Sequence, residues 1–185
     1  MDMEPEILRR AARVRLFLMD VDGVLTDGRL FYLPQPEGEG VETKAFDSQD
    51  GIALQWLAWF GIQTGVISGR VSPAAEERAR QVGMKYVYQG YIEKIPILEQ
   101  IKASSGIALD QMAYMGDDLT DAIVMPRVGL ALAPANARSE VKRIANYVTA
   151  ASGGRGAVRE VCELLLKAHG HWEELLRKYE ITPIS

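Results

Sequence analysis

Along the chain, short and largely apolar blocks end abruptly in polar residues. Leu16 to Met19 stops at Asp20, Ile62 to Ile67 runs into Ser68, and the apolar part of QMAYMGDD stops before Asp117. Blocks of this length, bounded by Gly and Asp, are the pattern of strands buried on both faces of a parallel sheet. KYVYQG, VGLALAP and NYVTA supply three more. Helical patterns fill the intervals. One is headed by Asp50 and runs through Phe60, and SPAAEERARQVG has a Ser cap, Pro in its first turn and a closing Gly. IEKIPILEQIKASSG tolerates Pro96 in its first turn. A short helix follows Asp118, another ends near Ala145, and Gly156 to His169 and Trp172 to Tyr179 are helical. RLFYL and VETKAF flank a Pro/Gly/Glu-rich loop, Pro34 to Gly40, and read as a projecting β-hairpin with a long tip. The alternation predicts an α/β fold: a doubly wound, mostly parallel sheet with helices on both faces.

Composition narrows the class. With 185 residues, 48% of them hydrophobic, the chain suits one domain over 1–185, with the hairpin at about 29–46 and a helical tail at about 156–185. Twenty-one basic against 25 acidic residues leave a net charge of -4, which points to neither a nucleic-acid footprint nor a membrane surface. Cys162 stands alone in the apolar stripe of AVREVCELLLKAH, so it is expected as a buried small hydrophobe in a reducing, cytoplasmic setting. The apolar stretch after the basic residues near the N-terminus is too short for a signal peptide's core. His169 and His171 have no nearby Cys and read as solvated. Trp56 and Trp59, three apart on one helix, read as core or subunit contacts.

Three predicted strands deliver polar residues to one edge: Asp20 and Asp22, Ser68 and Arg70, Asp117 and Asp118. In such sheets ligands bind in the crevice beyond the strand ends. An Asp there is also an ordinary turn or cap residue, so the first pair alone leaves both readings open. Three converging carboxylates repel one another unless a hard cation neutralises them, and oxygen-only ligands beside a phosphate favour Mg²⁺. Lys94, in the first turn of its helix, adds a fixed positive charge.

DVDG, ISGR, Lys94 and GDD occur in the order of the four motifs of the haloacid dehalogenase superfamily of phosphohydrolases, which the chain resembles over nearly its whole length. The resemblance implies a Rossmann-like sheet, with Asp20 as nucleophile and Asp22 as general acid/base. It makes Ser68, Gly69 and Lys94 the phosphate binders, and gives Mg²⁺ to Asp20, Asp117 and the Asp22 backbone carbonyl. Asp118 and Asp121 either orient Lys94 or a metal-bound water, or serve as a cap and a first-turn acid near Leu119. The chemistry suits the residue types: an ionised Asp attacks phosphorus without a base, and a second Asp can protonate the leaving alkoxide. That second acid argues for hydrolysis. Members that cleave carbon–halogen bonds lack it, and ion-pumping members carry Thr.

Between these motifs there is no room for an inserted cap domain. The chain is similar to the capless branch, in particular the 3-deoxy-D-manno-octulosonate 8-phosphate phosphatases and their nonulosonate 9-phosphate relatives, through DVDGVLTDG, FDSQDG, SGRVSP, GDDLTD and SGGRGAVRE. Gln49 stands where the octulosonate enzymes carry a basic residue, whereas Arg70 matches them. The resemblance implies substrate contacts from Asp50, Arg70 and Arg78, the alternative for Arg78 being a solvated helix face. The implied activity is Mg²⁺-dependent hydrolysis of a 2-keto-3-deoxy sugar acid phosphate. A nonulosonate 9-phosphate, or a non-catalytic sugar-phosphate-binding module, is the alternative. The branch also implies a homo-oligomer, a tetramer, in which a neighbour's hairpin surface covers Asp20 and Asp22. SGGRG, Ser152 to Gly156, either closes an edge of the site with Arg155 or is a flexible turn.

Overall fold

The computed structural model describes residues 4–36, 38 and 40–181; Thr182 to Ser185 of the expected tail, and Glu37 and Glu39 of the hairpin tip, lie outside the described residues. β1 (Leu16–Met19) occupies the middle of a six-stranded sheet, between β4 (Gln63–Ser68) and β6 (Met112–Met115). β5 (Tyr86–Gln89) lies outside β4, while β7 (Leu130–Ala133) and then β8 (Tyr147–Val148) lie outside β6, all parallel. β2 (Phe31–Leu33) and β3 (Val41–Thr43) pair antiparallel as a separate hairpin. The chain between β1 and β4 holds only this hairpin, one turn and one helix, so there is no inserted cap.

Register places the chemistry. Met19 is level with Val66 and Met115, so β1 and β6 release Asp20 and Gly116 at one height while β4 continues to Ser68. Successive residues of β1 enter opposite layers. Phe17 and Met19 pack under α1 (Pro5–Ala11), α2 (Ser48–Trp59), α3 (Pro73–Gln81) and α6 (Ala157–Ala168). Leu16 and Leu18 pack under α4 (Lys94–Ser105) and α5 (Ser139–Ile144). Each such buried side chain contributes about 1.5–3 kcal/mol. α7 (Trp172–Lys178) lies on α6 through Leu175. No helix among the described residues is long and apolar enough to cross a membrane.

Several elements depart from expectation for identifiable reasons. α1 is an addition: only Ile7 and Ala11 of its seven residues are buried, too few for a periodic signal. α2 starts at Ser48 because Asp47, not Asp50, caps it, accepting from the N–H groups of Gln49 (2.6 Å) and Asp50 (3.3 Å). After Asp118 the chain makes turns that end in a short 3₁₀ helix, Met125–Arg127, instead of an α-helix. Asp121 is turned inward, its N–H bonds Asp118 O, and Pro126 lacks the N–H an extended helix would need. His169 and His171 are half-buried, with Phe60 stacked 4.5 Å from the His171 ring. Cys162 is fully buried, and Trp56 donates from its indole N–H to the Tyr179 hydroxyl at 2.9 Å.

Candidate active site

β1 ends in a single wide turn, Val21–Leu25, closed by Thr26 N–H donating to Val21 O at 3.0 Å. Gly23 adopts φ +90° at its centre, and a Cβ there would come 2.1 Å from Asp117 Oδ2. Glycine is therefore required twice over, by conformation and by space. The turn throws Asp20 and Asp22 out on one side. It is buttressed from behind: Asn136 donates to Gly23 O (2.9 Å) and accepts from Gly153 N–H (2.6 Å), while Gly154 N–H donates to Val24 O (3.0 Å). SGGRG is thus a support for the turn, and Arg155 faces Asp27 at 3.6 Å.

A buried network holds the centre. Lys94 is 1% exposed; its Nζ lies 3.0 Å from Asp20 Oδ1 and 2.7 Å from Asp121 Oδ1, and it donates to the Tyr114 hydroxyl at 3.1 Å. Asp121 is saturated: Oδ1 also accepts from Tyr114 (2.7 Å), and Oδ2 accepts from the N–H groups of Asp117 (3.0 Å) and Asp118 (3.2 Å). Burial alone would lower the Lys94 pKa, but Asp20 and Asp121 outweigh it and the net shift is upward. Asp118 faces solvent and caps only its own neighbour, Leu119 N–H, at 2.7 Å.

Asp20, Asp117 and Asp121 each place an oxygen within 4.8 Å of the others. With Asp121 committed, the open donors are Asp20 and Asp117: Asp117 Oδ1 is buried without a hydrogen-bond partner, and Asp20 Oδ1 faces the Lys94 ammonium at 3.0 Å. Burial, then the charges of Asp121, Asp20 and Asp118, push the Asp117 carboxyl up to about 7. Burial, opposed by Lys94, pushes Asp20 up to about 6. Two hard carboxylates converging on one point, with a single ammonium shared among three acids, are what a small divalent cation requires.

Ser68, 3% exposed at the end of β4, completes the opposite wall; its Oγ accepts from Arg70 N–H at 3.2 Å. Together with Gly69, Arg70, Ile92 and Thr120, these residues line a cleft of about 190 Å³. The hairpin returns to this cleft within the same chain. Lys44 Nζ lies 2.5 Å from Asp22 Oδ1 and 3.1 Å from Glu42 Oε1. Arg70 Nη2 lies 2.5 Å from Glu42 Oε2 and donates to the Tyr32 hydroxyl at 3.3 Å.

A family profile of haloacid dehalogenase-like hydrolases matches residues 80–160. The 3-deoxy-D-manno-octulosonate 8-phosphate phosphatase of Salmonella typhimurium is 40% identical over 172 residues, 93% of this chain and 89% of the relative. That of Yersinia pestis is 41% identical over 168 residues, 91% of this chain and 88% of the relative. The crystal structure of the Moraxella catarrhalis phosphatase, in complex with a magnesium ion, a phosphate ion and a KDO molecule, matches with a TM-score of 0.90. It is 38% identical and covers 96% of this chain and 99% of that one. The chain belongs to this phosphatase family of haloacid dehalogenase-like hydrolases.

Within the octulosonate phosphatase family frame, Asp20, Asp22, Ser68, Gly69, Arg70, Lys94, Asp117 and Asp118 come together in one cleft, with Asp121 directly beneath. Asp50 and Arg78 do not line it. Asp50 is 1% exposed and accepts from Arg159 N–H at 2.7 Å, tying α2 to the start of α6; burial first of all pushes it up to about 6. Arg78 lies across Gly51, donating to Asp47 O at 2.9 Å with its guanidinium over Phe46, so it is neither a cleft residue nor a solvated one. Gln49, the departure from the octulosonate phosphatase pattern, is exposed on the first turn of α2, outside the cleft. Sequence reasoning missed Lys44, Glu42, Tyr114 and Asn136. Glu42 and Lys44 carried a signal: two charges at i and i+2 share one face of a strand.

Proposed function

We propose that the chain hydrolyses the phosphomonoester of 3-deoxy-D-manno-octulosonate 8-phosphate, with Mg²⁺, through an aspartyl-phosphate on Asp20. The observation that carries the reading is the Lys94-centred network, which fixes one carboxylate in the cleft and leaves a second, Asp22, on the same turn. The relatives at about 40% identity supply the substrate. Asp20 attacks phosphorus while the ester P–O bond breaks, and Asp22 gives its proton to the departing sugar oxygen. Asp22, now ionised, takes a proton from the water that cleaves the aspartyl-phosphate, restoring Asp20 and releasing phosphate. Lys94 and the Ser68 hydroxyl bind the phosphoryl oxygens. Asp20, Asp117 and the Asp22 carbonyl would hold Mg²⁺, which would supply positive charge against the phosphoryl group.

Phosphate release from a panel of sugar phosphates, with and without Mg²⁺, tests the reading. Octulosonate 8-phosphate is expected to give the highest kcat/KM; a nonulosonate 9-phosphate in that place, or no release from any ester, contradicts it. Cation binding is also expected to follow the Asp117 and Asp20 carboxyls. Their folded-state pKa values are raised, so in the metal-free chain their ionisation weakens the fold as pH rises above the ordinary carboxylate range. Mg²⁺ needs the ionised forms. Its thermal stabilisation should be full above about pH 7 and fade below about pH 6, and a pH-independent shift would contradict this.

Arg70 stands one residue past the Ser68–Gly69 phosphate wall, and Glu42 occupies only part of its guanidinium. Arg70→Ala is expected to raise KM for the sugar acid phosphate roughly 10-fold, and much less for an ester without a carboxylate. Equal losses on both would assign Arg70 to the phosphate or the fold. The outer hairpin residues Phe31, Tyr32, Leu33 and Val41 are 46–59% exposed, and an isolated two-stranded hairpin is marginal in water. We place a second copy of the chain against that face, in a tetramer, whose size light scattering measures. The chain's own hairpin also reaches Asp22, through Lys44.

A further inference from the structure

Lys44 follows β3 directly, and its side chain is wholly buried. A buried ammonium is tolerated only where carboxylates replace its water, and here Asp22 and Glu42 do so at 2.5 and 3.1 Å. The contact with Asp22 is one-sided. Oδ1 receives the Lys44 N–H, while Oδ2 is buried without a hydrogen-bond partner, with Arg70 Nε 3.8 Å away. One oxygen is tied down and the other makes no hydrogen bond. Glu42, which steadies Lys44, is in turn gripped by Arg70 at 2.5 Å, so an unbroken chain of charges runs from the cleft mouth through the hairpin to Asp22.

We propose that Lys44 is a positioning residue for the acid/base: by clamping Asp22 Oδ1 it holds Oδ2 toward the cleft, and so makes the hairpin part of the catalytic apparatus of its own chain. The inference rests on the phosphatase reading and deepens it. An acid held at the wrong rotamer is present but ineffective, since proton transfer needs hydrogen-bond reach of the leaving oxygen. The loss therefore falls on substrates whose leaving group needs a proton. A sugar or alkyl phosphate expels a basic alkoxide, whereas p-nitrophenyl phosphate expels a phenolate that departs unprotonated.

Lys44→Met keeps most of the length of the side chain and removes its charge. With Mg²⁺ present, kcat on the sugar acid phosphate is expected to fall roughly 10²-fold, with KM changed less than about threefold. Single-turnover release of p-nitrophenolate should fall less than about threefold, because Asp20 attack proceeds without the acid. A residue that only supported the fold would lower both alike. Equal losses on the two esters, or an unchanged kcat on the sugar acid phosphate, overturn the proposal. Lys44→Ala offers a second route, decisive if Lys44→Met does not fold: added ethylammonium should restore part of the lost kcat on the sugar acid phosphate. A folded Lys44→Ala protein that ethylammonium does not rescue counts against positioning. If the wild-type chain releases phosphate from neither ester, the phosphatase reading falls, and this proposal with it.

Discussion

Asp20→Asn is expected to leave a folded protein with turnover reduced at least roughly 10³-fold, since the amide cannot take the role of the nucleophile proposed for the Lys94-held carboxylate. The fold should not suffer. The ionised Asp20 carboxylate is disfavoured by burial, which raises its pKa from 3.8 to about 6, so above about pH 6 its charge is a cost to the metal-free native state. The neutral amide keeps the shape and removes that cost. The melting temperature without Mg²⁺ should equal or exceed that of the wild type at neutral pH, although the Asp20–Lys94 pair is lost. Phosphate release and a thermal melt on one preparation check both halves. Substantial activity with normal stability would remove Asp20 from the nucleophile's role.

Lys94→Met has the opposite profile, with both activity and stability lost. Lys94 is 1% exposed and is paired with Asp20 and with the fully buried Asp121. Removing one member of a buried ionic network strands the other charges, at a cost of about 3–5 kcal/mol. Tyr114 loses a donor to its hydroxyl in the same step. Asp121, no longer balanced, is a poorer acceptor anchor for the N–H groups of Asp117 and Asp118, which loosens the wall that carries the Asp117 carboxylate. Urea unfolding at neutral pH should show the lower midpoint. An unchanged midpoint would mean that Lys94 serves phosphate alone and is not part of the frame.

The contrast between these variants shows what the sequence makes legible. Asp20, Ser68 and Asp117 can be read because each follows an apolar strand, and parallel register brings strand ends to one edge. Lys94 is legible as the first residue of a helix. Asp121 is seen but not resolved: its inward turn depends on two backbone N–H groups that no periodicity announces. Tyr114 reads as one more apolar strand residue, because nothing local shows its hydroxyl meeting Lys94, 20 positions away. That Asp50 and Arg78 stand outside the cleft is hidden for the same reason. Their partners, Arg159 and Asp47, lie 109 and 31 positions away, and packing between helices turns both away from the cleft. The hairpin is foreseen as a projection for a neighbour. What it also does, returning Glu42 and Lys44 to Asp22, depends on the tertiary path of β3.

Phosphate caught on the protein itself decides whether Asp20 is the nucleophile. The wild-type chain, mixed with Mg²⁺ and 3-deoxy-D-manno-octulosonate 8-phosphate, stopped in acid within a turnover and mapped by peptide mass, should carry a phosphoryl group on the peptide containing Asp20. Free phosphate formed without any phosphorylated peptide, or a phosphoryl group on a different residue, would contradict it.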